Sequence, residues 1–282
     1  MKENFSISTV AYSGYPIAEA LDSISSLGIK NVELALIQGA VHGLDEEGVS
    51  EENVRHIFRL LHDKGMRCTS FAAHCDMTLE NCDDLLLKRI KLTYLLDCQR
   101  LILYAPRDGS LQDFQTRAKR ALKTAESLGI QVLIENVGDQ KPYMLNDSKD
   151  FEQVKSEYSS PVLGINFDPG NLASHRPDND LLHDSIRSLD NAEHIHIKDL
   201  HLNGGDYHFC AVGDGICQYP ELFQYAVEVG KMPFFSIEAP FSLIRKTDGQ
   251  ALLKPVSEVP ALSEIEDKLE RSVQVITEYF ER

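Results

Sequence analysis

Eight short apolar runs, many rich in β-branched residues, recur along the chain at intervals of roughly 24 to 40 residues. That interval is the length a strand, a crossover helix and two loops require. The runs are Ile7–Ala11, Asn31–Leu36, Arg67–Ala72, Leu101–Tyr104, Gln131–Glu135, Leu163–Asp168, His194–Lys198 and Phe234–Glu238. Several of the stretches between them read as amphipathic helices. Pro16–Leu27 sets Ile17, Ala20, Leu21, Ile24 and Leu27 on one face and stops at Gly28. Glu52–Lys64 and Leu111–Leu128 repeat the pattern and stop at Gly65 and Gly129. A last helix, Glu264–Phe280, follows Ser263, which has capping-box spacing to Glu266. Strand-helix alternation predicts a parallel sheet. Eight units point to closure as an α/β (β/α)8 TIM barrel, one domain over residues 1–282, with an open doubly wound sheet as the alternative.

Composition narrows the partners. A formal net charge of −16 disfavours nucleic acid and anionic lipid. No window is apolar over the length of a membrane span, and the start does not read as a signal peptide. The six cysteines contain no C-x-x-C pair, so reduced thiols in a cytoplasmic protein are expected. Two segments, Asp139–Leu145 and Lys246–Pro260, read as loops, and Leu200–Gln218 reads as a long loop after the seventh strand.

Four of the runs end in a side chain that can ligate a metal: VLIEN at Glu135, GINFDPGN at Asp168, EHIHIKD at His196 and FSIEAP at Glu238. Polar side chains at the carboxyl ends of barrel strands point into one mouth, so residues far apart in sequence can meet. One such carboxylate is ordinarily a helix cap or a solvated group, and Asp168 has the sequence context of a cap in DPGN. Four in consecutive strand units, each closing an apolar run, need a neutralising partner. Lys198 is the one cation within these four strands, so a divalent ion is the stronger reading. Alternation along the strand sets His194, His196 and Lys198 on one face and Ile195 and Ile197 on the other. The isoleucines suit the helix side, which turns the histidines and the lysine to the barrel axis. His196 is then the nearer ligand, and His194 lies deeper.

The order IEN, FDPGN, HIHIKD, IEAP resembles the xylose-isomerase-like barrel superfamily over nearly the whole chain. That group includes tagatose and psicose epimerases, hydroxypyruvate isomerase, inosose dehydratase and endonuclease IV. The resemblance implies that Glu135, Asp168, His196 and Glu238 hold one divalent ion. It implies that Glu135 and Glu238 move a proton on a small sugar or related polyhydroxy carbonyl compound through a metal-stabilised enediolate. The oxygen-rich shell favours Mn²⁺ or Mg²⁺, and the imidazole admits Co²⁺ or Zn²⁺. His74, in FAAHCD, matches a substrate-contacting or metal-near histidine of the group, and Glu33, in NVELAL, a glutamate often found on its second strand; both are expected to contact substrate. Barrels of this group often pair, which leaves room for a homodimer.

The relatives usually carry His three residues after the aspartate ligand, where this chain has Asn171, a hydrogen-bond donor to substrate but a poor ligand. Asp206 and His208, in DYHFCAVGDG, resemble ligand positions of endonuclease IV. The histidines that a three-zinc site would also need are absent at Asn171 and from LYAPRDG, so Asp206 and His208 are expected to orient substrate or shape the loop. Arg107, Arg176 and Lys198 are the cationic candidates for a substrate phosphate, with Arg107 favoured as an ion-pair partner. Gly213–Gly215 is no dinucleotide fingerprint. The expected function is therefore a metal-dependent sugar isomerase or epimerase. The alternatives are a dehydratase on a cyclic polyol, a sugar- or metal-binding barrel without turnover and, last, a DNA-repair nuclease.

Overall fold

The computed structural model describes residues 5–75, 77–231 and 234–280. Eight parallel strands close into a barrel. In chain order the first seven are β1 (Phe5–Ser8), β2 (Asn31–Ala35), β3 (Arg67–Ala72), β4 (Arg100–Leu103), β5 (Gln131–Glu135), β6 (Leu163–Phe167) and β7 (His194–Ile197). Two further strands, β8 (Asp199–Asn203) and β9 (Asp206–Cys210), intervene before the eighth barrel strand, β10 (Phe234–Ile237). β10 pairs with β7 on one side and with β1 on the other, which closes the cylinder. Each of the eight expected strands is present, with ends shifted by three residues or fewer, and the open sheet is excluded.

The helices follow the apolar stripes. Those between the strands are α1 (Ile17–Ser26), α2 (Glu51–Asp63), α3 (Cys82–Leu95), α4 (Leu111–Arg117), α5 (Lys119–Leu128), α6 (Ser148–Ser156), α7 (Pro169–His175), α8 (Leu181–Leu189) and α9 (Tyr219–Glu228). α10 (Leu262–Phe280) is the last. The single helix expected over Leu111–Leu128 is two, broken at Ala118, which leaves helical geometry at φ −84° and ψ 11°. The break keeps both stripes on the core: Leu111 and Phe114 before it, Ala121, Leu122 and Ala125 after it, are buried. α10 begins at Leu262, so Ser263 lies inside the helix rather than at its cap. No helix among the described residues is long and apolar enough to cross a membrane.

The expected long loop after the seventh strand is instead a β-hairpin. β8 and β9 pair antiparallel and are extended by β11 (Leu243–Lys246) and β12 (Ala251–Leu253) into a four-stranded sheet. The segment expected as a loop from Lys246 thus contains the end of one strand and all of another. Asp199 anchors the hairpin. Its buried carboxylate accepts from the backbone N–H groups of Leu200 (2.9 Å), Gly213 (2.9 Å), Gly215 (3.0 Å) and Cys217 (3.2 Å). A Cβ on Gly215 would fall 2.1 Å from Asp199 Oδ1, so the glycine serves close approach to the carboxylate. Tyr219 holds the neighbouring residue: its hydroxyl accepts from Lys198 N (2.7 Å) and donates to Lys198 O (3.1 Å).

On the opposite wall, the fully buried Arg89 donates to both oxygens of Glu46 and, through Nε, to the carbonyl of Ala73 at the end of β3. The residue after Ala73 is His74, so this buried cation fixes where His74 leaves the strand.

The Asp199 clamp has a direct test. Asp199→Ala leaves four N–H groups without their acceptor, those of Leu200 and Cys217 buried, and should destabilise the protein by about 2–5 kcal/mol. Urea unfolding of the two proteins measures it, and a loss under about 1 kcal/mol would show that water replaces the carboxylate.

Candidate functional site

The four strand-end residues converge. Glu135, Asp168, His196 and Glu238 each offer a ligand atom, and these atoms all lie within 4.8 Å of one another. All four residues are buried. Barrel register brings this about: β5, β6, β7 and β10 are consecutive neighbours in the sheet, so their carboxyl ends share one half of the rim.

Each member is held by named partners. Asp168 divides its oxygens. Oδ1 accepts from Asn171 N (2.9 Å) and caps α7, with Pro169 at the first helical position, while Oδ2 faces the cluster. Asn136, next to Glu135, locks the Asp168 backbone: its Oδ1 accepts from Asp168 N (2.8 Å) and its Nδ2 donates to Asp168 O (2.9 Å). Glu135 Oε1 accepts from Asn171 Nδ2 (2.9 Å), and its Oε2 lies 3.2 Å from His74 Nε2. His74 stacks on Tyr104 with ring centroids 4.0 Å apart.

His196 faces two ways. Nε2 lies 3.0 Å from Glu33 Oε2, and Nδ1 lies 3.2 Å from Glu135 Oε1 and 3.3 Å from Glu238 Oε2. Glu33 is fully buried beneath the cluster, with Oε2 also accepting from Ser70 (2.7 Å). It therefore touches the imidazole rather than the mouth, where the sequence had placed it as a substrate contact. His194 lies deeper on the same face, as parity requires, bonded through Nδ1 to Asn166 (2.7 Å) and adjoining Ser236. Burial, reinforced by neighbouring His196, pushes its pKa down to about 3, so it is a neutral core group.

Charge dominates the chemistry of this pocket. Burial raises the Asp168 carboxyl to about 6 despite the opposing pull of Lys198, with Glu135 and Glu238 adding to the rise. Burial pushes Glu33 and Glu135 up as well, but the adjacent His196 outweighs it and holds both below the usual carboxylate range, Glu33 at about 2. Burial opposes protonation of His196, yet Glu238, Glu33 and Glu135 raise it well above an ordinary imidazole. Lys198 is equally enclosed. Its Nζ lies 2.6 Å from Asp168 Oδ2 and 2.8 Å from Glu238 Oε2, and those charges raise its pKa against burial. Part of the neutralisation is thus an ordinary ion pair from Lys198.

The donor set nevertheless fits a cation. Glu135 Oε2, Asp168 Oδ2 and His196 Nδ1 are buried ligand atoms without a hydrogen bond, apart from the ion pair of Asp168 Oδ2 with Lys198 and the approach of His74 to Glu135 Oε2. Three carboxylates with one imidazole suit a divalent ion of hard-to-borderline character. With Nε2–H directed at Glu33, the His196 lone pair on Nδ1 is left for the centre, the arrangement that orients metal-ligating histidines. The cluster can therefore hold a metal.

A cavity of about 310 Å³ opens above the cluster, its wall including His74, Tyr104, Lys198, Glu238, Leu243 and Arg245. Glu238 is the cluster carboxylate that borders it. Asn171 is fully buried behind Glu135 and does not line it. Asp206 and His208 sit on the hairpin sheet, Asp206 paired with Lys246 (2.6 Å) and His208 stacked on His201, outside both cavity and cluster. Arg107 pairs with Asp139 (2.6 Å), as expected of it, and Arg176 donates to Asn146.

Sequence reasoning missed Asn136, Tyr104 and Arg245. Asn136 stands inside the quoted IEN motif, where its neighbour drew the attention. Arg245 adjoins a segment read as loop, and nothing in its local pattern signals burial.

A family model described as xylose isomerase-like TIM barrel matches residues 21–256. No curated protein matches the chain by sequence. Among solved structures, D-psicose 3-epimerase from Clostridium cellulolyticum H10 superposes with a TM-score of 0.69 at 12% identity, covering 98% of this chain and 99% of that one. The probable 3-DHS dehydratase AsbF from Bacillus anthracis superposes with a TM-score of 0.67 at 15% identity, covering 97% and 98%. The 3-keto-D-glucoside 4-epimerase YcjR of E. coli gives 0.65 at 14% identity, covering 96% and 99%. At these identities the likeness is one of fold. The family match, spanning most of the barrel, carries the assignment: the chain belongs to the xylose isomerase-like TIM barrel family.

Proposed function

We propose that the protein is a divalent-metal-dependent isomerase or epimerase of a small polyhydroxy carbonyl compound, acting as one domain over residues 1–282 in the cytoplasm. The observation that carries this reading is the convergence of Glu135, Asp168, His196 and Glu238 within 4.8 Å beside a sugar-sized cavity. The same four residues would hold the ion. When bound, a divalent ion supplies Lewis-acid stabilisation to a substrate oxygen that gains charge.

The side chains divide the remaining work. Glu238 borders the cavity and takes the proton from the carbon next to the carbonyl. Glu135, across the cluster and ionised at rest, gains a proton through His74, whose Nε2 lies 3.2 Å from its Oε2, and returns it to the opposite face or to the neighbouring carbon. Asn171 and His74 hold Glu135 in place from two sides. Lys198 keeps its charge against Glu238 and Asp168 and, with its ammonium on the cavity wall, donates to a substrate hydroxyl. Glu33 fixes the tautomer and ring orientation of His196. Similar structures that include sugar epimerases support the class of substrate.

Exchange of solvent deuterium into ketoses, with Mn²⁺, Mg²⁺, Co²⁺ or Zn²⁺ supplied, tests the reading. Exchange at a carbon adjacent to the carbonyl is expected, and its absence from every ketose with every ion would refute the isomerase. Formation of an unsaturated carbonyl product would mark a dehydratase instead. Glu135→Gln should lower turnover by about 10²–10⁴-fold with the fold intact, because it removes a proton-transfer group. Loss of folding with unchanged metal content would make Glu135 structural.

Metal loading should also release protons. His196 is protonated at neutral pH and must give up that proton to bind through Nδ1. Protons and the cation compete, so affinity rises with pH. Calorimetry in buffers of different ionisation enthalpy should find net proton release on loading at neutral pH, and more of it below about 6, where Asp168 also carries a proton. Affinity independent of pH would place the ion elsewhere.

A further inference from the structure

The buried, charged residues of the described chain include three lysine or arginine side chains: Arg89, Lys198 and Arg245. Arg89 is paired with Glu46, and Lys198 with Asp168 and Glu238. Arg245, at 7% exposure, has no carboxylate partner among the described residues. Nη1 donates to two neutral acceptors, Asn171 Oδ1 (2.9 Å) and Ser174 Oγ (2.8 Å). The guanidinium lies 5.7 Å from the centroid of the Phe209 ring. Nε is buried without a hydrogen-bond partner. These contacts aim the side chain but give it no carboxylate in direct contact, the nearest link being through the Asn171 amide to Glu135, so its remaining donors stay free for a ligand.

Arg245 also lines the cavity that holds Glu238 and Lys198. The chain makes room for it there. A Cβ on Gly138 would fall 2.0 Å from Arg245 Nη1 and 2.3 Å from Cζ, so only glycine leaves the slot open. Gly138 belongs to the loop that follows Glu135, which ties the slot to the cluster.

We propose that Arg245 is the subsite for an oxyanionic substituent of the substrate, a carboxylate or a phosphate. Guanidinium donors match either group, and an unused Nε beside Nη2 forms the planar fork that such oxyanions accept. Lys198 does not serve this purpose, because two carboxylates already engage it. The proposal deepens the isomerase reading and rests on it for the carbonyl part of the substrate: the substrate is a sugar phosphate or a sugar-derived keto acid rather than a free sugar.

The test uses the Mn²⁺-loaded protein and two matched pairs of compounds, D-fructose with D-fructose 6-phosphate and L-sorbose with 5-keto-D-gluconate. Calorimetry gives the affinity ratio of the anionic over the neutral member. The wild type should prefer the anionic member of at least one pair, and the pair identifies phosphate or carboxylate. Arg245→Gln and Gly138→Ala should each cut that preference by about ten-fold or more, and Arg245→Lys should keep part of it, as expected when a charge-assisted fork is lost or blunted. Gly138→Ala displaces the guanidinium but retains its charge, so it decides the matter even if Arg245→Gln folds poorly. No anionic preference in the wild type, or equal losses for both members in Gly138→Ala, would overturn the proposal. Solvent-deuterium exchange on the same compounds separates the two readings. Preference without exchange sinks the isomerase and spares the subsite, whereas exchange without preference does the reverse.

Discussion

Three carboxylates buried side by side cannot remain charged without neutralisation, and the rest of this site is arranged around that constraint. Glu135, Asp168 and Glu238 lie within a few ångströms of one another, away from water. Lys198 supplies one positive charge and engages two of them. A divalent ion would supply two more, which offsets these three carboxylates with His196 as a neutral ligand and leaves Glu33, beneath the imidazole, as one further buried acid. Otherwise, protonated His196 and the raised pKa of Asp168 reduce the imbalance. The site is thus poised to exchange protons for a cation, a property of its charges rather than of any one ligand.

Around the cluster the barrel interior is unusually polar. Ser6, Ser70 and Ser236 hydrogen-bond in a buried chain that ends on Glu33 and touches His194. Glu33 in turn holds His196. Orientation of the imidazole is therefore set from the barrel floor, by residues far from the mouth. Asn136 and Asn171 act similarly from the side: Asn136 pins the backbone of Asp168, and Asn171 donates to the carboxylate of Glu135 and to the carbonyl of Asn136. The position where relatives usually have His is therefore occupied here by an amide that links Glu135 to Arg245. That substitution is coherent with a guanidinium absent from the expectations drawn from sequence.

The barrel strands are legible in the sequence because each is a compact apolar run followed by a helix with an apolar stripe. Parity in HIHIKD resolves which face carries the histidines, since a strand leaves only two choices. Asp168 shows why a local reading can be incomplete rather than mistaken: one oxygen caps a helix and the other enters the cluster. Other features depend on contacts distant in sequence. Whether Glu33 faces the mouth or supports His196 is a matter of depth along the axis, which alternation does not encode. The hairpin sheet escaped because Leu200–Gln218 is rich in glycine and polar residues, and its pairing partner β11 lies more than thirty residues on. Arg245 resembles any surface arginine until the fold encloses it.

The central claim is that these side chains gather one ion, and anomalous scattering from a crystal soaked in Mn²⁺ tests it most directly. The account predicts a single strong peak bonded to Glu135, Asp168, His196 and Glu238, with His196 contributing Nδ1. A peak bound elsewhere, or several peaks sharing the mouth, or none while the four side chains keep their present contacts, would contradict it.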